Sequence, residues 1–165
     1  VCTGNICRSP TAERLAVALG ADIPDFTASS AGTGAVIGHP IHPSAAKVLE
    51  RLGGDPSGFA ARQLTAKIAD GADLILTMSR AHRDYVLELV PHRLNRTFTL
   101  AEASRLVSEC SAENLAALPA LRPHLAPDGV IDVRDPIGQS DKVFEAVGVQ
   151  IAELLPPVIE LCRRG

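Results

Sequence analysis

Cys2 and Arg8 stand with five residues between them, Thr3-Gly4-Asn5-Ile6-Cys7, and Ser9-Pro10 follows directly. A thiol and a guanidinium at that spacing arise easily by chance in a chain with four cysteines, so the loop interior decides what the pair means. Gly4 and Asn5 tolerate left-handed backbone angles, which lets successive N–H groups turn inward as an anion-binding nest. Ser9-Pro10 then opens a helix whose N-terminus aims partial positive charge at the same point. Arg8 adds a planar fork that matches two oxygens of a phosphate. A free thiol is only a few per cent thiolate at neutral pH, and this positive setting favours the thiolate of Cys2 as a nucleophile toward phosphorus. The Ser9 hydroxyl is within reach to hydrogen-bond that sulfur and help it leave again. The competing reading is a structural turn with an incidental cysteine, and it leaves the co-occurrence of all these parts unexplained.

A proton donor is also required for the departing oxygen, and afterwards a base for attacking water. An aspartate in a distant loop serves both steps if the fold brings it over the phosphate. On residues alone an Asp-Pro pair such as Asp135-Pro136 is a common turn.

The elements that must hold these groups follow from the apolar pattern. Helical stretches are predicted over 10–20, 44–53, 80–90 and 101–118, and over 141–164 with Pro156-Pro157 kinking or dividing the last. Strand-like stretches fall at 26–31, 72–78 and 97–100, and 118–129 reads as a proline-rich loop. Strands alternating with helices imply an α/β fold with a parallel sheet, in a single domain over 1–165. A loop of this kind follows a buried strand, yet only Val1 precedes Cys2. The first strand is therefore expected to be truncated, and its neighbours to lose ladder partners and core contacts.

Composition narrows the partners. The chain of 165 residues is 46% hydrophobic and 21% charged with a net charge of −3, which gives no electrostatic reason to expect nucleic acid. Trp is absent and aromatics make up 3%, so stacking platforms for single strands are not expected. No apolar run reaches the roughly 18 residues of a membrane span, and no signal peptide is visible. Cys2, Cys7, Cys110 and Cys162 lack the spacing of a disulfide framework or of a zinc site, so reduced thiols in a cytoplasmic setting are expected, with no metal and no cofactor. His39 and His42 read as solvated loop residues. Arg80, His82 and Arg83, with His92, Arg93 and Arg96, read as a solvated basic face balanced by Asp84 and Glu88.

Val1-Cys2-Thr3-Gly4-Asn5-Ile6-Cys7-Arg8-Ser9-Pro10 closely resembles the opening of the low-molecular-weight protein tyrosine phosphatases, V-C-x-G-N-I-C-R-S-P. The resemblance continues through Ser29-Ser30-Ala31-Gly32-Thr33, Ala61-Arg62-Gln63-Leu64-Thr65 and Ala72 to Met78, and ends at Asp135-Pro136. It implies a four-stranded parallel sheet flanked by helices. It implies Cys2 as nucleophile, Arg8 with Thr3, Gly4, Asn5, Ile6, Cys7 and Ser9 as the phosphate and substrate contacts, and Asp135 before Pro136 as the acid, with its neighbour Asp132 as the rival candidate. It further implies that Asn5 holds the loop through side-chain hydrogen bonds with support from Ser30. Cys7 is either a reversible disulfide partner of Cys2, as in that family, or a small packed residue. Ile137 and Gly138 stand where many relatives have aromatics, and 101–129 departs from the family pattern.

The expected activity is hydrolysis of phosphomonoesters on protein, phosphotyrosine foremost, through a cysteinyl-phosphate intermediate. Arsenate reduction on the same fold is one alternative, although no cysteine lies between Cys7 and Cys110. Arginine-phosphate hydrolysis is a second, but relatives with that activity carry Thr where this chain has Ile6. A phosphate-binding scaffold is a third, and it would have no use for a nucleophile and an acid.

Overall fold

A computed structural model describes residues 1–126 and 132–164. Helices α1 (Arg8–Leu19), α2 (Pro43–Arg51) and α3 (Ala66–Asp70) precede strand β1 (Ile75–Thr77). Helix α4 (Arg80–Leu89), strand β2 (Thr97–Thr99), α5 (Leu100–Ser108), the short α6 (Leu118–Leu121) and α7 (Asp141–Arg164) complete the order. The fold is α/β, as the alternation predicts.

β1 and β2 pair in parallel with Leu76 opposite Phe98. Beyond β1 the ladder continues through single parallel bridges, Cys2 with Gly32 and Gly32 with Gln63, rather than through further regular strands among the described residues. Val1 nevertheless lies where a central strand would. Its nitrogen donates to the Leu76 carbonyl at 2.7 Å and its carbonyl accepts from the Met78 amide at 3.0 Å. On the other side the Cys2 carbonyl accepts from Thr33 N at 2.9 Å. The order across the ladder is thus β2, β1, Val1-Cys2, Ala31 to Thr33, and Arg62 to Leu64.

Alternate residues of β1 face opposite cores, as the strand period requires. Ile75 packs with Ala31, Leu64, Ala69, Val86 and Val90, between the ladder and α3 and α4. Leu76 lies against the larger core of Phe98, Leu100 and the buried faces of α1, α2, α5 and α7. The phosphate-loop sequence leaves this central position and enters α1, where Pro10 sits in the first turn and needs no N–H partner.

Several expectations are corrected here. Residues 26–31 form no strand; the pairing residue is Gly32. The predicted helix over 101–118 stops at Ser108, and Ser111 has a left-handed φ of 55° that a helix cannot pass through. Cys110 therefore lies beyond α5, not within a helix. Of the predicted loop, 118–121 is the short helix α6, while Pro127 and Gly129 lie outside the described residues. The stretch after α5 is tied down by Arg122, which pairs with the buried Glu102 at 2.8 Å and stacks over Phe98 at 3.9 Å. Glu102 itself closes the capping box of α5 with Thr99.

Pro156-Pro157 do not divide α7, which runs unbroken from Asp141 to Arg164. Both prolines avoid the buried face: Phe144, Val147, Ile151 and Leu155 anchor the helix before them, and Val158, Ile159 and Leu161 after. Gly148 lets α7 approach α2, because a Cβ there would lie 2.4 Å from Val48 Cγ1. Gly148→Ala is expected to destabilise the fold by about 1–3 kcal/mol despite alanine's better helix propensity. Val48→Ala in the same chain should restore most of the loss. Denaturant midpoints of the three variants check this; a stable Gly148→Ala would mean that the two helices are free to separate.

Candidate active site

The loop from Cys2 to Cys7 turns its carbonyls outward. The Cys2, Thr3 and Gly4 carbonyls accept from the amides of Thr33, Gly34 and Val36 at 2.9, 3.1 and 3.0 Å. The Ile6 carbonyl accepts from His42 N at 2.7 Å, and that of Cys7 from Thr11 Oγ1 at 2.7 Å. A trans peptide points its N–H opposite to its carbonyl, so the amides of Thr3, Gly4, Asn5 and Cys7 turn away from these partners, and no amide from Thr3 to Cys7 has a protein acceptor among the described residues. This is the anion nest that Gly4 and Asn5 suggest. It needs Gly32 alongside, where a Cβ would meet the Thr3 carbonyl at 2.2 Å.

Asn5 is fully buried with φ of 55°, the left-handed region that Asn tolerates. Its Oδ1 accepts from Arg62 N at 2.9 Å, which fixes the amide orientation because that partner is purely a donor. Its Nδ2 then donates to Ser9 Oγ at 2.9 Å and to Ser30 Oγ at 2.8 Å. Ser30 passes its own proton to Glu13 Oε2 at 2.6 Å. Ser9 Oγ, which accepts from Asn5, hydrogen-bonds Cys2 Sγ at 2.9 Å and has its own proton available to a thiolate there. The roles of Asn5 and Ser30 implied by the resemblance thus have matching geometry, and Glu13 is a member of the network that the sequence reading did not single out.

Arg8 is buried, and its guanidinium reaches across to the segment that follows β2 by more than thirty residues. Nη2 pairs with Asp135 Oδ2 at 2.8 Å and Nη1 donates to the Val133 carbonyl at 3.1 Å. Asp135 is about half exposed and accepts also from Ile137 N at 3.1 Å. Asp132 is elsewhere occupied: its Oδ1 accepts from the Arg80 amide at 3.0 Å, at the start of α4. Of the two acid candidates, Asp135 is the one in contact with Arg8.

Cys2 and Cys7 are both buried free thiols. Cys7 is pushed up to about 12, by burial first and then by the nearby charges of Cys2 and Asp135. It stays a thiol at neutral pH, against a small apolar cavity shared with Thr11, Val48, Pro136, Phe144 and Gly148. Ile6 is half-buried, and Ile137 is exposed where an aromatic was absent from the sequence.

Two histidines depart from the solvated reading. His42 stacks on Phe144 at 4.8 Å and caps α2 by accepting from Ser44 N. His82 is 7% exposed and hydrogen-bonds Thr3 Oγ1 at 2.8 Å and Ser79 Oγ at 2.7 Å. Its basic neighbours in sequence disguise it; the helical period alone, which sets His82 on the same face as Val86, could have placed it inward. No group of three or more His, Cys, Asp or Glu side chains among the described residues is arranged to hold a metal ion.

The family model "Low molecular weight phosphotyrosine protein phosphatase" matches residues 1–112, and the chain belongs to that family. A Ralstonia nicotianae protein named probable low molecular weight protein-tyrosine-phosphatase EpsP is 41% identical over 102 residues, covering 62% of this chain and 68% of the relative. The Erwinia amylovora tyrosine phosphatase AmsI superposes with a TM-score of 0.75 at 28% identity, over 96% of this chain and 87% of its own. The YwlE arginine phosphatase from Geobacillus stearothermophilus matches equally well, at a TM-score of 0.75 and 28% identity over 96% and 87%. The chain is accordingly a phosphatase. Asp135 lies outside the span that the family model matches, so its place in the site rests on the Arg8 contact and on the Asp-Pro resemblance.

Burial, and next the positive charge of Arg8, lower His82 to about 4, with Asp135 and Asp132 opposing. A histidine whose folded value lies below its unfolded value of about 6.5 takes up protons on unfolding in that window. Its contribution to stability is present in full above pH 6.5 and is lost as pH falls toward 4, on the order of 2–3 kcal/mol. His82→Gln should flatten the stability curve between pH 6.5 and 4 without changing its slope above pH 7. Chemical denaturation across that range measures it, and an unchanged acid limb would contradict a neutral buried imidazole.

Proposed function

We propose that this phosphatase hydrolyses phosphomonoesters on protein, phosphotyrosine foremost, through a phosphoryl group carried on Cys2. One observation carries the reading. A buried cysteine sulfur hydrogen-bonded to a serine hydroxyl stands at the base of a loop whose amides have no protein acceptor among the described residues, and the same loop ends on an arginine in contact with a carboxylate.

In the first step Cys2 Sγ, as the thiolate, attacks phosphorus and the bond to the leaving oxygen breaks, that oxygen taking the proton of Asp135, which enters the step as the carboxylic acid with the proton that the thiol has given up. The amides from Thr3 to Arg8 and the Arg8 fork stabilise the charge on the equatorial oxygens, as preorganised donors do in phosphoryl transfer. Binding phosphate exchanges the Arg8–Asp135 contact for an Arg8–phosphate one, which frees the carboxyl to face the leaving group. In the second step water attacks phosphorus, Asp135 takes its proton, and the S–P bond breaks with Ser9 donating to the departing sulfur.

The relatives named tyrosine phosphatases support an aryl substrate, and the half-buried Ile6 offers an apolar wall to an aromatic ring. The partner is then a phosphorylated protein. A net charge of −3 gives no pull toward nucleic acid, and no helix among the described residues is long and apolar enough to cross a membrane. A single catalytic domain over 1–165, a cytoplasmic setting, and a sheet of four strands in which Gly32 and Cys2 mark two of them belong to the same proposal. Such a mechanism calls for no metal and no cofactor.

Cys2→Ser is expected to abolish turnover while inorganic phosphate still binds, because the amides and Arg8 remain. Activity within tenfold of the parent would exclude Cys2 as nucleophile. Asp135→Asn should slow hydrolysis by about 10²–10⁴-fold for phenols of high pKa, with the loss shrinking for acidic phenols. Rates across a series of aryl phosphates check the assignment; a uniform loss would remove Asp135 as the acid. Ile6→Thr should raise the rate on arginine phosphate relative to aryl phosphate, and an unchanged ratio would take Ile6 out of the cleft wall.

A further inference from the structure

The first turn of α4 touches both halves of the site. At Ser79, which caps α4, the hydroxyl accepts from the His82 amide at 3.2 Å and keeps its own proton free for His82 Nδ1, 2.7 Å away. With Nδ1 as that acceptor, Nε2 bears the ring proton and donates to Thr3 Oγ1, 2.8 Å away. Thr3 follows the nucleophile directly and its amide is one of those turned into the loop centre. The imidazole is buried, while Thr3 is exposed; the rigid partner is the histidine. One residue from the cap on the same turn, the Arg80 amide donates to Asp132 Oδ1 at 3.0 Å, and the Arg80 guanidinium adds a longer ion pair at 3.7 Å. Asp132 leads into Val133, whose amide donates to the Met78 carbonyl at 2.8 Å and whose own carbonyl accepts from Arg8, and then into Asp135.

We propose that this turn is the block that spaces the phosphate loop from the acid: His82 positions the loop through Thr3, and the Arg80 amide positions the Asp135 segment through Asp132. Neither His82 nor Asp132 touches the reacting atoms. Both are positioning residues, and the inference rests on the assignment of Cys2 and Asp135 made above. The two tethers act on different steps of recognition. Loosening Thr3 disorders donors to the phosphate, whichever alcohol is attached. Loosening Asp132 leaves those donors in place and misplaces the proton donor.

The test separates these effects by measuring inorganic phosphate affinity and the dependence of rate on leaving-group pKa in the same variants. His82→Ala is expected to weaken phosphate binding about tenfold, the worth of one well-placed hydrogen bond, with the leaving-group dependence unchanged. His82→Gln, whose amide can still donate to Thr3, should recover most of that loss. Thr3→Val should mimic His82→Ala, and the double variant should be no worse than either single one. Asp132→Ala should leave phosphate affinity within about twofold and lower the rate about tenfold for poor leaving groups alone. Additive losses at Thr3 and His82 would overturn the first tether, as would a lower melting temperature for His82→Ala with phosphate affinity intact. A flat leaving-group dependence in Asp132→Ala would overturn the second. Should His82→Ala not fold, Thr3→Val carries the first arm alone, since it alters an exposed side chain. The binding arm needs no turnover and is repeated in Cys2→Ser, so a failed nucleophile assignment is told apart from a failed tether.

Discussion

The site depends on one residue held in an unfavourable backbone state. Asn5 sits at φ 55°, a region that costs an L-residue on the order of 1 kcal/mol or more unless its surroundings hold it there. They do so through the side chain: one bond accepted from Arg62 N and two donated, to Ser9 and Ser30. Every polar atom of the amide is thereby engaged in a fully buried place, where an unpaired one would cost 1–3 kcal/mol. The reversal at Asn5 is what lets the chain curl so that amides before and after it share one focus. The same amide donates to Ser9 Oγ, which orients that hydroxyl beside the Cys2 sulfur. Loop shape and nucleophile chemistry therefore have a common cause.

The surroundings that enforce this state come from distant parts of the chain. Residues 33 to 36 run beside the loop and satisfy three of its carbonyls, and only a glycine at 32 permits the approach. Arg62 contributes its amide to Asn5 and its Nε to the Ser30 carbonyl at 2.8 Å, binding the two layers of support to each other. Arg8 performs the corresponding task toward the C-terminal side, where it binds Val133 and Asp135 directly to the loop. The phosphate loop is in this sense a junction among four segments, and the helices behind it supply the apolar burial that keeps the junction closed.

How much of this the residue pattern reveals follows from how local each determinant is. Helices bounded by Pro or Gly and carrying an apolar stripe, such as 43–51 and 80–89, are legible because their signal lies within the element. The short strands are not: β1 and β2 each span three residues, and the remaining ladder rests on single bridges whose partners are thirty residues apart. The loop from Cys2 to Ser9 is legible because amide nest, arginine and helix start are contiguous. Asp135 was legible through resemblance, its contact with Arg8 being beyond any local pattern. His82 was misread because two arginines beside it make the turn look solvated, although its ring points the other way into Thr3 and Ser79. The continuous α7 shows the converse error, since Pro156-Pro157 read as a kink or a division, and the helix is not divided there, with buried residues anchoring it on either side.

The central claim is that Cys2 carries the phosphoryl group between two chemical steps, and the most direct measurement is to catch it there. A rapid acid quench of the enzyme during turnover of an aryl phosphate, followed by peptide mass analysis, reports which side chain is phosphorylated. The account predicts a phosphoryl group on the Cys2 peptide, released at the rate of steady turnover and accumulating when Asp135 is replaced and the leaving group is an acidic phenol. A phosphoryl group on a histidine, or hydrolysis that proceeds at full rate with no phosphorylated Cys2 at any time, would contradict it.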